Sequence, residues 1–217
     1  MIKDISVNTQ SSIKVISDKI IYFDPFKITE ETHDADYVFI THDHYDHYEV
    51  DSIKKVMKDD TYIIFPDSMF LKVVPLFKNK DNLRGVIPNE EYVIDVLSFK
   101  TIPSYNLNKD FHPFNNKWVG YVLDLEEKLL VSGDTDATEE LLNTKCDIAC
   151  IPIGGTYTMT KEEAAEAINH IKPNIVIPTH YGSIVGNKND GIEFSKLLDE
   201  GIECQLKLDW WIWQKKK

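Results

Sequence analysis

Apolar residues along this chain fall mostly in short runs divided by charged or turn-forming residues, a pattern of strands rather than of long helices. Ile13-Lys14-Val15-Ile16 and Lys19-Ile20-Ile21-Tyr22-Phe23 predict two strands around a turn at Ser17-Asp18, and Asp24-Pro25 ends the second. Tyr37-Val38-Phe39-Ile40 is continuously apolar, as a strand covered on both faces would be. Val50 to Met57 sets Val50, Ile53, Val56 and Met57 on one helical face. Tyr62-Ile63-Ile64-Phe65, closed by Pro66, predicts another buried strand.

The second half has a similar layout. Tyr92 to Ser98 and Lys100 to Ser104 predict strands. Trp118 to Leu125 and Leu129 to Ser132 predict a hairpin across Glu126-Glu127-Lys128. Asp147 to Ile151 and Asn174 to Ile177 read as buried strands, alternating with helices expected at about 161–170 and 191–199. Thr160 with Glu163 matches a capping box, and Asp136 with Glu139 repeats the pattern. Short strands with helices outside them predict an α/β fold: a four-layer αβ/βα sandwich, two mixed β-sheets packed face to face with helices on the outer faces. A length of 217 residues suits one sizeable core, so a single domain over 1–217 is expected, with halves at about 1–90 and 91–217 and no clear internal repeat.

Composition narrows the class. Hydrophobic residues make up 42% and charged residues 28%, the balance of a soluble globular protein. No apolar run approaches the roughly 20 residues that span a bilayer, so no membrane partner is expected. Met1-Ile2-Lys3-Asp4 reaches an acid at once, without a long apolar stretch, so no signal peptide is expected. Cys146, Cys150 and Cys204 are odd in number and unpatterned, which fits a reducing cytoplasm better than a disulfide framework. A net charge of −12 repels phosphate backbones and argues against nucleic acid as a partner. It leaves a small-molecule substrate open, even an anionic one, because bound metal ions reverse the local sign.

The chemistry concentrates in one place. His42-Asp43-His44-Tyr45-Asp46-His47 holds three of the chain's seven histidines. Imidazole and carboxylate are ligands that zinc, manganese and iron use. The run follows a predicted buried strand directly, at the sheet edge where open α/β sheets bind ligands. His42 and His44 are two apart and in extended chain point the same way. Asp46 and His47 are adjacent and are expected to diverge, which suits a second ion beside the first.

Thr41-His42-Asp43-His44-Tyr45-Asp46-His47 resembles the signature of the metallo-β-lactamase superfamily. Ser132-Gly133-Asp134-Thr135 resembles that family's second motif, in which an Asp bridges two metals. Ile177-Pro178-Thr179-His180-Tyr181 resembles the strand end whose His completes the second metal site. The stretch from Ile151 to Met159, with Gly154-Gly155, is similar to one in the branch of ascorbate-6-phosphate lactonase and related small hydrolases. The resemblance implies two divalent metal ions, zinc first, with manganese or iron as alternatives. It implies that His42 and His44 hold one ion, that Asp46, His47 and His180 hold the other, and that Asp134 bridges them. It requires a third histidine for the first ion. His112 lies between the motifs in the expected order, with His33 and His170 as competitors.

The activity so implied is that of a metal-dependent hydrolase. Metal-bound hydroxide at a dinuclear centre would attack a small ester, lactone or phosphodiester, with Asp46 and Asp134 as catalytic residues. Tyr181, Thr156 and Tyr157 either line the pocket or pack. Two other readings share the ligand set: an iron-dependent oxidoreductase, and a non-catalytic metal-stabilised binding protein. The chain shows no flavin domain and no rubredoxin-like cysteine set. One departure stands out. The family branch often carries Gly-His near the first strand, where this chain has Asn8-Thr9-Gln10-Ser11-Ser12, with Gln10 in the histidine's place. That His is not usually a primary ligand, so metal binding is left intact and substrate identity more open. The tail Asp209-Trp210-Trp211-Ile212-Trp213 reads as a last strand that packs aromatics and ends in lysines, and its aromatic edge leaves a homo-oligomer open.

Overall fold

The computed structural model describes residues 1–208 and builds them into two sheets. The Trp-rich tail lies outside the described residues. The first sheet runs in chain order through β1 (Asp4–Val7), β2 (Ile13–Ile16), β3 (Ile20–Phe23), β4 (Ala35–Phe39), β5 (Met57–Pro66) and β6 (Leu83–Val86). Its first three strands are antiparallel neighbours and its last four are parallel ones. The second sheet holds β7 (Glu91–Ile94), β8 (Leu97–Pro103), β9 (Val119–Asp124), β10 (Lys128–Val131), β11 (Ile148–Pro152), β12 (Ile175–Thr179) and β13 (Glu203–Cys204). It too is mixed: antiparallel from β7 to β10 and parallel from β10 to β13. The chain changes sheet between Val86 and Glu91.

Alternation along the strands decides what each face meets. Tyr37 and Phe39 point to the second sheet, where Phe39 meets Phe99 edge-on at 5.1 Å and Tyr121 at 4.8 Å between ring centroids. The buried Tyr121 hydroxyl donates to the Ile40 carbonyl at 2.7 Å and so ties the sheets together. Val38 and Ile40 point the other way, into a core shared with Ile53 and Val56 of helix α1 (Val50–Val56) and Val73 of α2 (Phe70–Val73). The second sheet carries α3 (Glu139–Leu142), α4 (Lys161–Ile171) and α5 (Asp190–Ser195). The α4 face of Ala164, Ala165, Ile168 and Ile171 joins the large core. The result is the expected sandwich of two mixed sheets with helices outside.

Several local expectations are corrected. The two strands expected over Tyr92 to Ser98 and Lys100 to Ser104 divide earlier than expected: Asp95 takes a left-handed φ of 54° and turns the chain between β7 and β8, and Leu97 to Pro103 is one continuous strand. The helix expected to end at Met57 ends at Val56, and Met57 opens β5, ten residues long. The helix expected over 191–199 is formed only over Asp190–Ser195. Thr160 and Glu163 do form the capping box of α4. Asp136 caps nothing: Thr138 accepts the Leu141 N–H at 3.2 Å, and Asp136 instead takes Lys109 Nζ at 2.6 Å and the Leu107 N–H at 2.9 Å. No helix among the described residues is long and apolar enough to cross a membrane.

Candidate metal centre

Four strands deliver side chains from their carboxyl ends to one point between the sheets. β4 leads into Thr41-His42, β8 into the loop bearing His112, β10 into Gly133-Asp134, and β12 into His180. Gly133 lets this happen: at φ 65°, a Cβ there would lie 3.0 Å from Ser104 Oγ and 3.1 Å from Thr41 Cβ. A side chain at Gly154 would likewise strike the His180 carbonyl at 2.2 Å.

After His44 the chain closes a turn, with His47 N and Tyr48 N both donating to the His44 carbonyl at 3.0 and 2.8 Å. That turn corrects the expectation that Asp46 and His47 diverge: both face the same space, 3.8 Å apart between Asp46 Oδ2 and His47 Nε2. Three overlapping groups result, each with donor atoms within 4.8 Å of one another: His42, His44 and His112; His42, His47 and Asp134; and Asp46, His47 and His180. Asp134 Oδ2 sits among them, 3.4 Å from His47 Nε2, 3.5 Å from His112 Nε2 and 3.0 Å from His180 Nε2. All these residues are buried except His44, which is half-buried. The His112 ring lies 5.1 Å from that of His42 and 4.9 Å from that of His44. The other two candidates lie elsewhere: exposed His33, before β4, sets its ring against the Met57 carbonyl, and exposed His170 ends α4.

The polar bookkeeping fits a cation. Buried His47 Nε2, His112 Nε2 and Asp134 Oδ1 have no hydrogen-bond partner, a cost that folded proteins rarely leave standing. Imidazole nitrogens and carboxylate oxygens are the donors a divalent zinc, manganese or iron ion takes. Burial works to raise both carboxyls here, yet the surrounding imidazoles outweigh it. Asp46 is held down to about 2 by His180 and His47, and Asp134 well below the usual range by His180, His47 and His112. Both stay ionised at neutral pH. Burial also drives His42 well below its usual value, so it is neutral and able to ligate.

Residues not singled out in the sequence hold the imidazoles. His47 Nδ1 lies 2.7 Å from Asp24 Oδ2, and Asp24 also accepts from Thr41 N at 2.8 Å and Thr41 Oγ1 at 2.6 Å. Burial pushes Asp24 up and pushes His47 down, but the Asp134 and Asp24 carboxylates lift His47 well above its usual value. Against the same burial, Asp134 and Asp46 raise His180 to about 9, so at neutral pH both rings carry a proton that an incoming cation would displace. Asp24 accepts twice from Thr41, so His47 Nδ1 is the donor in their contact, and Nε2 is the nitrogen directed at the centre. Asn106 does the same for His112: its Oδ1 accepts from His112 N at 3.0 Å and lies 3.1 Å from Nδ1. Asn106 is fixed in turn by Asp136 Oδ1 at 3.2 Å and the Tyr157 carbonyl at 3.0 Å.

A pocket of about 530 Å³ opens beside His44, between Asp43, Ser68, Asp110, Asn116, Phe111 and Trp118. No lysine or arginine lines it among the described residues, and Lys72 nearby is paired to Asp43. Tyr157 packs edge-on against Phe111 at 4.7 Å, and Thr156 is exposed. Tyr181 is buried with its hydroxyl against Gly191, so it packs.

A family model described as the beta-lactamase superfamily domain matches residues 10–180. A UPF0173 metal-dependent hydrolase of Nanoarchaeum equitans is 32% identical over 191 residues, 85% of this chain and 86% of that one. Another, of Thermoplasma volcanium, is 31% identical over 192 residues, covering 82% and 83%. Among solved structures, a Parabacteroides distasonis protein proposed to be a metal-dependent hydrolase superposes with a TM-score of 0.79 at 26% identity, covering 94% of this chain and 93% of that one. A metallo hydrolase from Ignicoccus hospitalis superposes at 0.73 and 20% identity, covering 94% and 95%.

Proposed function

This chain belongs to the beta-lactamase superfamily and is a metal-dependent hydrolase of the metallo-β-lactamase fold, and we propose that it acts through two divalent ions on a small neutral ester or lactone. The observation that carries this reading is the overlap of three His/Asp groups sharing His42 and His47, with Asp134 among them. In it, His42, His44 and His112 hold one ion, Asp46, His47 and His180 the other, and Asp134 stands between. When bound, such ions lower the pKa of water and polarise the carbonyl under attack. Zinc suits these donors, as manganese and iron do, and the metal is part of the proposal.

The chain's residues then have distinct work. Asp134 reaches both halves of the centre with one oxygen, so it fixes their spacing. Asp46, held ionised beside His180 and His47, is placed to accept a hydrogen bond from the attacking water and orient it. Asp24 and Asn106 keep His47 and His112 in the tautomers that face the centre. Trp118, 5.0 Å from His42 and 4.9 Å from His44 between ring centroids, shields that side from water. The pocket beside His44 offers carboxylates, amides and aromatic faces, with no lysine or arginine among the described residues. An anionic substrate would depend on the bound ions alone for opposite charge, which favours a neutral one.

The test is elemental analysis with hydrolysis assays on lactones, aryl esters and an aryl phosphodiester, with and without chelator. Two ions per chain and chelator-sensitive turnover of esters or lactones are expected. His44→Ala and Asp134→Ala should each lower it by at least about 100-fold. Preference for the phosphodiester overturns the substrate class. Iron with oxygen consumption points to an oxidoreductase, and failure of either variant to alter any turnover, while both lower Tm, points to a metal-stabilised binding protein.

A further inference from the structure

We propose that Gln10 is a positioning residue that aims the Asp46 carboxylate at the ion held with His47 and His180. The proposal rests on the reading of those residues as one ion's ligands.

Gln10 is fully buried in the tight turn between β1 and β2, where Asn8 N donates to the Ser12 carbonyl and Ser12 N to the Thr9 carbonyl, each at 2.9 Å. Its side chain reaches across the fold, and Nε2 donates to Asp46 Oδ2 at 3.4 Å. That oxygen is the one facing the other two ligands, 3.4 Å from His180 Nε2 and 3.8 Å from His47 Nε2. The orientation of the amide is fixed from both ends. An ionised Asp46 only accepts, so the NH₂ must face it, and Ser183 Oγ donates to Gln10 Oε1 at 2.8 Å. One lone pair of Oδ2 is thus engaged by Gln10 and the rest of the oxygen is turned to the centre.

The backbone ties the same turn to a second ligand of the group. Gln10 adopts φ 50° and His180 φ 56°, in the left-handed region that residues other than Gly, Asn, Asp and His seldom occupy, so Gln10 is the unusual one of the two. The two left-handed residues are joined, since His180 N donates to the Gln10 carbonyl at 3.0 Å. One short turn therefore grips two ligands of the same ion: His180 through its main chain and Asp46 through an amide. Glycine or asparagine would relax position 10 but could not span to Asp46.

The test uses Gln10→Met, which keeps length and packing but cannot donate, and Gln10→His, which restores an N–H. Zinc is titrated in competition with a chromophoric chelator, and Tm is measured on metal-free protein. The expected result is that Gln10→Met keeps the metal-free Tm and one tight ion while binding the second about 10–100-fold more weakly, and that Gln10→His recovers most of that loss. Gln10→Met binding both ions as wild type does, or losing affinity together with metal-free Tm without rescue by His, overturns the proposal. Wild type that binds two ions and hydrolyses nothing defeats the functional reading and leaves Gln10 standing. Asp46→Asn with unchanged ion binding removes the ligand group, and the Gln10 proposal with it.

Discussion

At the scale of single residues, the candidate ligands stood out because their chemistry is rare: three histidines within six positions have few other uses. The residues that aim them were not. Asp24 reads as a strand stop before Pro25, and only the fold sets it against His47, 23 residues on. Asn106 is an ordinary loop amide until His112 closes on it. Asp136 matches a capping pattern, yet its oxygens serve Lys109, Leu107 and Asn106 instead. Short-range patterns cannot show such contacts, because these polar types are equally at home in turns. The Asp24 contact has a measurable consequence. Asn in its place keeps the shape and the Thr41 N–H acceptor but gives up the charge that holds the His47 proton on Nδ1. Asp24→Asn is expected to weaken ion binding by about 10–100-fold while the protein stays folded. Zinc competition together with circular dichroism checks both halves of that statement, and unchanged affinity refutes it.

At the scale of elements, β3, β4 and β5 were readable as strands, because runs covered on both faces must be apolar throughout. What failed were boundaries decided by one residue's backbone or by a distant partner. Asp95 in the left-handed region moves the break between two expected strands earlier in the chain, and Leu97 to Pro103 runs as one. Met57 completes the helical face in sequence, yet it pairs with Ala35 and begins β5. The four-residue β6 escaped notice because its burial is slight apart from Val86. A side chain also bridges the neighbouring strands: Asp36 on β4 accepts from Ile20 N of β3 and from Lys58 Nζ of β5, both at 2.7 Å. Burial would raise its carboxyl, but Lys58 and the Ile20 N–H outweigh it, and the group lies below its usual 3.8. A carboxyl lowered by folding adds stability above its unfolded value and loses it as pH falls through the folded value. Asp36→Asn should therefore cost about 1 kcal/mol at pH 7, and its difference from wild type should shrink below about pH 4. Urea unfolding at pH 7 and pH 3 measures it; an equal difference at both pH values contradicts the bridge.

At the scale of the whole molecule, the two-sheet sandwich followed from the alternation of short strands and helices, but nothing in the pattern showed how the sheets meet. The candidate ligands lie on both sides of that seam. His42, His44, Asp46 and His47 follow a strand of the first sheet, while His112, Asp134 and His180 follow strands of the second. An ion bound there joins the sheets as the Tyr121–Ile40 hydrogen bond does, and its affinity adds to the stability of the whole. Free ion at about 1,000 times its dissociation constant contributes about 4 kcal/mol, which for a chain of this size moves Tm by about 8–16 °C. Removing the ions with chelator should lower Tm by that order, and adding zinc back should restore it. If one ion takes ligands from both sheets, as proposed, His44→Ala from the first and His112→Ala from the second should abolish the same share of the gain. If the two variants differ, with one keeping the full zinc-dependent rise in Tm, then His44 and His112 do not hold a common ion. The first ligand group would then have to be redrawn around His42, His47 and Asp134 alone.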